Sequence, residues 1–136
     1  LEDNFLRDRA AVVIVKNNKV GLIRRIRNGS VYYVFPGGGI EDGEHPETGA
    51  KREALEELGV KVNVTECFAK LEFNGIQYFF LAEIIEGVFG TGQGEEYTDE
   101  NRDRGTYFPI WIDIKKLSSL DVKPKEISLK VQFNFN

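Results

Sequence analysis

The chain has 136 residues, a length that fits a single domain over residues 1–136 and needs no second one. Its hydrophobic share of 41% and charged share of 29% are typical of a globular protein, and no apolar run approaches the roughly 18 residues of a membrane span, so we expect no membrane partner. The net charge of −4 argues against polymeric nucleic acid as a partner, because a DNA or RNA backbone is normally bound by a basic face, whereas a few local cations can still bind a small anion.

Short β-branched and aromatic runs in the first third of the chain predict strands. Residues 11–15 and 20–23 are apolar and flank Asn17-Asn18, a turn sequence, so they predict a hairpin. Residues 31–35 predict a third strand, which Pro36 and the three glycines after it must end. A long polar stretch then leads into a helix.

Helix signals lie at both ends of residues 46–58. Pro46 suits the first turn of a helix, where its missing N–H is not needed, and Gly59 suits the position just beyond the last turn. Between them Ala50, Ala54 and Leu58 recur at intervals of four residues and form one apolar stripe. We therefore predict a helix from Pro46 to Leu58 that packs on a sheet through this stripe and is acidic on its other face.

The next part of the chain predicts strands followed by one long loop. Alternation at Val62 and Val64 predicts a strand, and residues 68–73 and 76–83 predict a hairpin through Asn74-Gly75, a strong turn signal. Residues 87–105 are rich in glycine and charge and show no periodicity, so we predict a surface loop there.

The C-terminal part returns to regular structure. Residues 107–112 predict a strand, and Asp113 can cap a short helix that ends at Leu120. A last helix follows Pro124, and the pattern leaves its end within residues 131–135 open. The order of elements favours a mixed sheet with helices on its faces, which is an α/β or α+β sandwich.

Glu53, Glu56 and Glu57 are spaced three and four residues apart on the predicted helix and therefore share one face. Two carboxylates about 4 Å apart repel each other by about 4 kcal/mol at an effective dielectric constant near 20. A raised pKa relieves this repulsion, and so does a divalent cation; magnesium prefers oxygen ligands and bridges carboxylates to phosphates. The alternative is an acidic helix face that is merely solvated, which is the more common case for three glutamates alone.

Residues around the glutamates can complete a metal site. Arg52 lies four residues before Glu56 and can hold a carboxylate through a two-pronged hydrogen bond. Gly37 can offer its carbonyl oxygen as a ligand, because glycine lets the backbone approach a metal or phosphate closely. Glu44 can brace the preceding loop against the helix.

The segment from Gly38 to Val60 resembles the signature of the Nudix hydrolases. That signature has a glycine, a later glutamate, an arginine-glutamate pair, two adjacent glutamates and a glycine followed by an aliphatic residue, all at fixed spacing. Ala54 is smaller than the aliphatic residue usual at its position and leaves the chemistry unaffected. The matching positions are Gly38, Glu44, Arg52, Glu53, Glu56, Glu57, Gly59 and Val60.

The resemblance implies a Nudix-type α/β/α sandwich with a mixed β-sheet, in which water attacks one phosphorus of a nucleoside diphosphate linked to another group. It implies Mg²⁺ as cofactor, with Mn²⁺ as a substitute. Glu56 and Glu57 are then the main metal ligands, the Gly37 carbonyl is a further one, and Glu53 is a ligand or the general base. Together with Arg52 the three glutamates form the expected catalytic set. The expected structural positions of the motif are Gly38, Glu44 and Gly59.

Some members of the family use a later acidic residue as the base. The predicted loop at residues 87–105 offers four such residues, and the sequence does not rank them. For each of them a solvated charge run is the alternative. These residues are Glu95, Glu96, Asp99 and Glu100.

Substrate contacts leave a weaker signal. Arg24, Arg25 and Arg27 lie just after the second strand, and of these we select Arg24, with Gly38, as a substrate contact, although an ordinary surface arginine fits as well. Tyr78 lies 18 residues after Val60, a spacing that resembles the dinucleoside-polyphosphate hydrolases of the family. We expect a small-molecule nucleotide substrate, such as a nucleoside triphosphate, a nucleotide sugar or a dinucleoside polyphosphate. The alternative is a module that senses a nucleotide without hydrolysing it.

The single cysteine bears on the cellular context. Cys67 has no partner for an internal disulfide, which is typical of proteins in a reducing cytosol. We therefore expect a cytoplasmic protein. A homodimer is compatible with the sequence.

Overall fold

A computed structural model describes residues 7–92 and 105–135. These residues form eight strands, two α-helices and one 3-10 helix. In chain order they are β1 (Arg9–Lys16), β2 (Lys19–Arg27), β3 (Ser30–Val34), β4 (Gly37–Gly39), α1 (Pro46–Leu58), β5 (Val60–Glu72), β6 (Ile76–Gly87), β7 (Thr106–Asp113), the 3-10 helix (Ile114–Ser119), β8 (Val122–Lys123) and α2 (Lys125–Phe135).

The strands form one mixed sheet. Its order is β5-β6-β1-β2-β3-β8, with β4 paired to β1 and β7 paired to β2. The pairs β1–β6 and β3–β8 are parallel and the other pairs are antiparallel. The predicted mixed sheet is thereby confirmed.

The core lies on both faces of this sheet. On one face Ala50, Ala54 and Leu58 of α1 pack against strand residues that include Val12 and are fully buried, as the predicted stripe requires. On the other face the 3-10 helix and α2 cover a second cluster, whose members include Val13 and Ile127. Adjacent residues of β1 thus point into different clusters, as the alternation of a strand requires. The molecule is an α/β/α sandwich, as expected.

The glycine run after Pro36 differs from the prediction. β3 ends at Val34, one residue before its predicted end at Phe35, and residues 37–39 form the short strand β4 rather than part of a loop. A side chain could not fit at these positions, since a Cβ on Gly37 would collide with the carbonyl oxygen of Ala10 and one on Gly39 with the guanidinium of Arg7. Glycine therefore allows the chain after β3 to lie directly against β1.

The C-terminal part differs from its prediction in detail. The short helix capped by Asp113, whose carboxylate accepts a hydrogen bond from the Lys115 N–H at 3.0 Å, is a 3-10 helix. Strand β8 was not predicted, and α2 continues through the open end of the pattern to Phe135. Of the predicted loop at residues 87–105, residues 87–92 and 105 are described, and Gly87 is the last residue of β6. The four candidate acids Glu95, Glu96, Asp99 and Glu100 lie outside the described residues. No helix in the described part of the chain is long and apolar enough to cross a membrane.

Candidate active site

Helix α1 holds two of its glutamates against the glycine strand β4. Glu53 and Glu57 are one helical turn apart, and only 7% and 4% of their surfaces are exposed. The carboxylate of Glu53 occupies the space that a side chain on Gly38 would need, since an ideal Cβ there would lie 2.6 Å from the Glu53 Cδ. The Glu57 Oε1 accepts a hydrogen bond of 2.7 Å from the Gly37 N–H. The glycines thus let two buried carboxylates approach the backbone of the motif.

The backbone of Gly37 faces these glutamates. In an antiparallel pair the backbone groups of successive residues point alternately toward and away from the partner strand. The Pro36 carbonyl accepts from the Val12 N–H and the Ile40 N–H donates to the Asp8 carbonyl, both at 2.9 Å, so even-numbered residues here face β1. The N–H and carbonyl of Gly37 therefore point away from β1, on the side of Glu57, as a ligand role for the carbonyl requires.

Arg52 connects the helix to the loop before it. Its Nε and Nη2 donate to the two carboxylate oxygens of Glu44 at 2.8 and 3.0 Å, so the two-pronged hydrogen bond is made with Glu44 and not, as the spacing to Glu56 predicted, with a carboxylate of the helix. Its Nη2 also donates to the Gly39 carbonyl at 2.9 Å. Its Nη1 donates to Glu53 at 3.0 Å and to Glu56 at 3.3 Å. One guanidinium thus fixes the relative positions of the loop, β4 and the glutamate face.

The Arg52–Glu44 contact shifts the pKa values of both groups. The hydrogen bonds from Arg52, together with the smaller effect of a hydrogen bond from the Glu41 N–H, lower the pKa of Glu44 to about 2. Conversely, the hydrogen bond to Glu44 raises the pKa of Arg52 above its usual value. Both groups are therefore fully charged at neutral pH, and Glu44 braces the loop as predicted.

Glu56 does not join the other two glutamates. Its side chain is 48% exposed, and its contact within the described residues is the one with Arg52. Within residues 7–92 and 105–135, no three His, Cys, Asp or Glu side chains form a ready metal cluster. The reason is that Arg52 lies between Glu53 and Glu56, while Glu57 turns toward the Gly37 N–H.

The donor chemistry still fits a hard divalent cation. The guanidinium of Arg52 donates to the carboxylates of Glu44, Glu53 and Glu56, and the Gly37 N–H donates to that of Glu57. Buried carboxylates are costly without compensating positive charge, and their oxygens are the ligands that magnesium and similar ions prefer.

Arg24, the arginine predicted from the sequence as a substrate contact, lies on the face of the sheet opposite to α1. Arg24 alternates with Ile23, which points toward α1, and therefore faces the α2 side, where its guanidinium lies 5.5 Å from the Phe108 ring. The structure does not bring Arg24 to the glutamates. Arg25 instead shares the α1 face and stacks on Tyr107 at 3.7 Å. The alternation with buried Ile23 is the sequence signal that distinguishes the two arginines.

A cavity of about 670 Å³ adjoins the glycine strand. Gly37 and Gly38 line one side of it, and Phe35 and Phe79, which meet edge to face with their ring centroids 5.9 Å apart, are among its aromatic residues. This volume is within the range of small-molecule sites. Its charged and polar lining includes Arg9, Lys70, Glu72, Gln77, Tyr78, Lys123, Lys125 and Glu126.

Comparison with known proteins matches these features to one family. The family model described as the NUDIX domain matches residues 6–129. The chain belongs to the Nudix family. The predicted membership of the Nudix family is thereby confirmed, and the match includes the whole segment from Gly38 to Val60 together with the strands around it.

Individual relatives support the same family. A MutT-like protein of Streptomyces ambofaciens is 44% identical over 57 residues, which cover 42% of this chain and 36% of that protein. An RNA pyrophosphohydrolase of Pelagibacter ubique is 30% identical over 129 residues, covering 82% of this chain and 78% of that protein. The crystal structure of a MutT Nudix hydrolase from Burkholderia pseudomallei shares the fold with a TM-score of 0.70 and 22% identity, covering 91% of this chain and 95% of that one.

The chain thus spans about a third of the first of these relatives and most of the other two. Nudix hydrolases act on pyrophosphate-containing compounds, and the family generally uses divalent metal ions. The Nudix segment of this chain is therefore a hydrolase domain. Which ion it binds, which compound it cleaves and what each glutamate does are matters for the proposal below.

Proposed function

We propose that this Nudix domain hydrolyses a phosphoanhydride bond of a nucleoside diphosphate linked to another group, with Mg²⁺ as cofactor and Mn²⁺ as a substitute. The observation that carries the proposal is the placement of buried Glu53 and Glu57 on the backbone of Gly37 and Gly38, beside the cavity. A surface helix that is merely acidic would not bury two carboxylates against a glycine strand.

The proposed metal ligands are Glu56, Glu57 and the Gly37 carbonyl, with Glu53 as a further ligand or as the general base. When bound, the ion would offset the charge of the carboxylates and polarise a phosphoryl oxygen or a bound water. Glu57 is held in position by the Gly37 N–H, and Glu53 by Arg52. Exposed Glu56 can turn toward the site by a change of rotamer, since Arg52 holds it through one longer hydrogen bond.

The cavity supports the choice of a nucleotide. The largely buried rings of Phe35 and Phe79 form an apolar wall of the cavity, while Lys70 and Lys123 can approach phosphate oxygens. Gly38 belongs both to the cavity and to the Glu53 contact, so a nucleotide bound there would have its phosphate end near the glutamates. Arg24 is not proposed again as a substrate contact, because it is not among the residues that line the cavity.

The identity of the nucleotide is best found with a panel. Purified protein with Mg²⁺ or Mn²⁺ would be given nucleoside triphosphates, nucleotide sugars, ADP-ribose, dinucleoside polyphosphates and, because of the Pelagibacter ubique relative, RNA with a 5′-triphosphate. The negative charge of the chain favours the small molecules over RNA. Cytoplasmic localisation and a homodimer stay predictions.

The decisive control is Glu57→Gln. It keeps the shape of the side chain and removes the charge, and we expect kcat to fall at least about a hundredfold, because electrostatic stabilisation of this kind typically contributes several kcal/mol. Glu47→Gln is the matched control on the same helix, since Glu47 is exposed and pairs with Lys51 at 3.5 Å. Equal rates for the wild type and Glu57→Gln on every compound would refute the proposal. Tight binding of a nucleotide that is recovered unchanged would favour a sensor module instead.

A further inference from the structure

The last turn of α1, which carries Glu56 and Glu57, receives hydrogen bonds from a segment outside the Nudix motif. Carbonyl groups at the C-terminal end of a helix lack partners within the helix. The Gly59 N–H satisfies the Leu55 carbonyl at 3.0 Å, with Gly59 in the left-handed conformation at φ 77°. The Leu58 carbonyl instead accepts from the N–H groups of Gly90 at 2.9 Å and Thr91 at 3.1 Å. We call residues 88–92 the capping segment.

The capping segment also lies directly on the backbone of both glutamates. A Cβ on Gly92 would be 2.6 Å from the Glu56 carbonyl oxygen and would collide with the Glu57 carbonyl. Any side chain at this position must therefore displace either the segment or the helical turn. The turn is thus fixed from two sides, since the Glu57 side chain is held by Gly37 on the other.

An aromatic stack anchors the capping segment to the sheet. The rings of Phe89 and Trp111 stack with their centroids 4.4 Å apart and an interplanar angle of 29°. The stack needs a glycine in β2, because a Cβ on Gly21 would lie 2.8 Å from the Phe89 Cε2. Gly21 is paired with Trp111 in the sheet, so strands β2 and β7 together form the surface on which the Phe89 ring packs.

We propose that the capping segment is a positioning element of the active site, in which Phe89 and Gly92 fix the last turn of α1 and thereby Glu56 and Glu57. The inference rests on the proposed function. Without the anchor, the Leu58 carbonyl loses both donors and the last turn frays, so the two carboxylates no longer share one geometry. Small displacements of groups that hold a metal or a substrate are costly in rate.

The first test is Phe89→Ala. We expect kcat to fall at least about tenfold and the dissociation constant of Mn²⁺, measured by calorimetry, to rise several-fold, while the KM for the nucleotide changes less than about twofold. Phe89→Tyr keeps the ring and restores most of the loss. Val88→Ala is the matched control, because Val88 is in the same segment and 67% exposed. If Phe89→Ala lowers only the melting temperature, and kcat per folded molecule and the Mn²⁺ affinity stay at wild-type values, the proposal is wrong.

The second test uses Gly21→Ala, which displaces Phe89 without changing any residue of the capping segment. We expect it to reproduce the loss seen in Phe89→Ala, and the double variant to be no worse than Phe89→Ala alone, because both changes remove the same anchor. Additive losses would contradict this. Should Phe89→Ala fail to fold, Gly21→Ala and Gly92→Ala give the same comparison.

A third measurement separates this inference from the proposed function. Hydrogen exchange at the amides of Leu58 and Gly59 reports fraying of the last turn without any turnover. We expect exchange to be faster in Gly92→Ala and Phe89→Ala than in the wild type and Val88→Ala. A wild-type protein that cleaves no compound would refute the proposed function. The exchange rates and the Mn²⁺ affinities would still show whether the capping segment positions the last turn of α1. Unchanged exchange and affinity would overturn it.

Discussion

Replacement of Arg52 by Lys tests the site most directly, because it keeps the positive charge and removes the planar fork. Arg52 makes five hydrogen bonds, to Glu44, Glu53, Glu56 and the Gly39 carbonyl, and a lysine can replace about one of them. Hydrogen bonds to charged groups contribute about 1.5–3 kcal/mol each when buried. Since 22% of the Arg52 side chain is exposed and the charge is retained, we expect a loss of about 2–4 kcal/mol in the free energy of unfolding.

Thermal and urea unfolding measure this loss, and for a chain of this length it corresponds to a fall of about 8–15 °C in melting temperature. We also expect kcat to fall about tenfold or more, since Glu53 loses the group that orients it. Lys51→Ala is the matched control, because the exposed Lys51–Glu47 pair contributes at most about 0.5 kcal/mol. An Arg52→Lys protein within about 0.5 kcal/mol of the wild type would refute the reasoning.

The same comparison has a defined pH dependence. Glu44 has its pKa lowered from 4.5 to about 2 in the folded protein, so its contribution is fully present above pH 4.5 and is lost as the pH falls through about 2. The shift corresponds to at most about 3 kcal/mol, which solvent screening at this surface pair reduces to about 1–2 kcal/mol. The stability difference between wild type and Arg52→Lys should therefore shrink from pH 5 toward about pH 2.

Three further predictions concern single positions. Gly38→Ala should lower kcat at least about tenfold in steady-state kinetics, since its Cβ would collide with the Glu53 carboxylate. Gly29→Ala is the control for a general effect of replacing glycine, because Gly29 has a positive φ but no neighbouring atom close to where its Cβ would lie. Asp113→Ala should cost about 1 kcal/mol in unfolding free energy and leave kcat unchanged, because it removes the cap of the 3-10 helix. Phe133→Ser should change the unfolding free energy by less than about 0.5 kcal/mol, since the side chain is 87% exposed, and a larger loss would reveal a contact of Phe133 outside the described chain.

Elements with local signals were predicted well from the sequence. Helix α1 has both predicted ends because Pro46 and Gly59 act on their own neighbours, and Gly59 does adopt the left-handed conformation. The hairpin at Asn74-Gly75 has positive φ at both residues, as its turn requires. The two-pronged bond of Arg52 was predicted in kind but not in partner, since the spacing along the helix pointed to Glu56 and the bond is made with Glu44 in the preceding loop.

Features that depend on distant partners were not predictable. β4 exists because β1 lies beside it, and β8 has only two residues and pairs with β3. The sequence predicted that three glutamates share one face of the helix, but the orientation of each carboxylate depends on its hydrogen-bond donor. Arg52 donates to both Glu53 and Glu56. Glu57 instead accepts from the Gly37 N–H. Phe89 lies outside the motif, and its partner Trp111 is more than twenty residues later, so periodicity gave no sign of the stack.

The pairing of β2 with β7 has a consequence for the order of folding. Lys19 at the start of β2 lies opposite Asp113 at the end of β7, so this contact closes a loop of more than ninety residues. Contacts of such long sequence separation form late, whereas a helix and a tight hairpin form within microseconds. During synthesis the helix that carries the glutamates can therefore form early. Phe89 can stack on Trp111 only after Trp111 has left the ribosome. A nascent chain would therefore cap the end of α1 only when the domain is nearly complete.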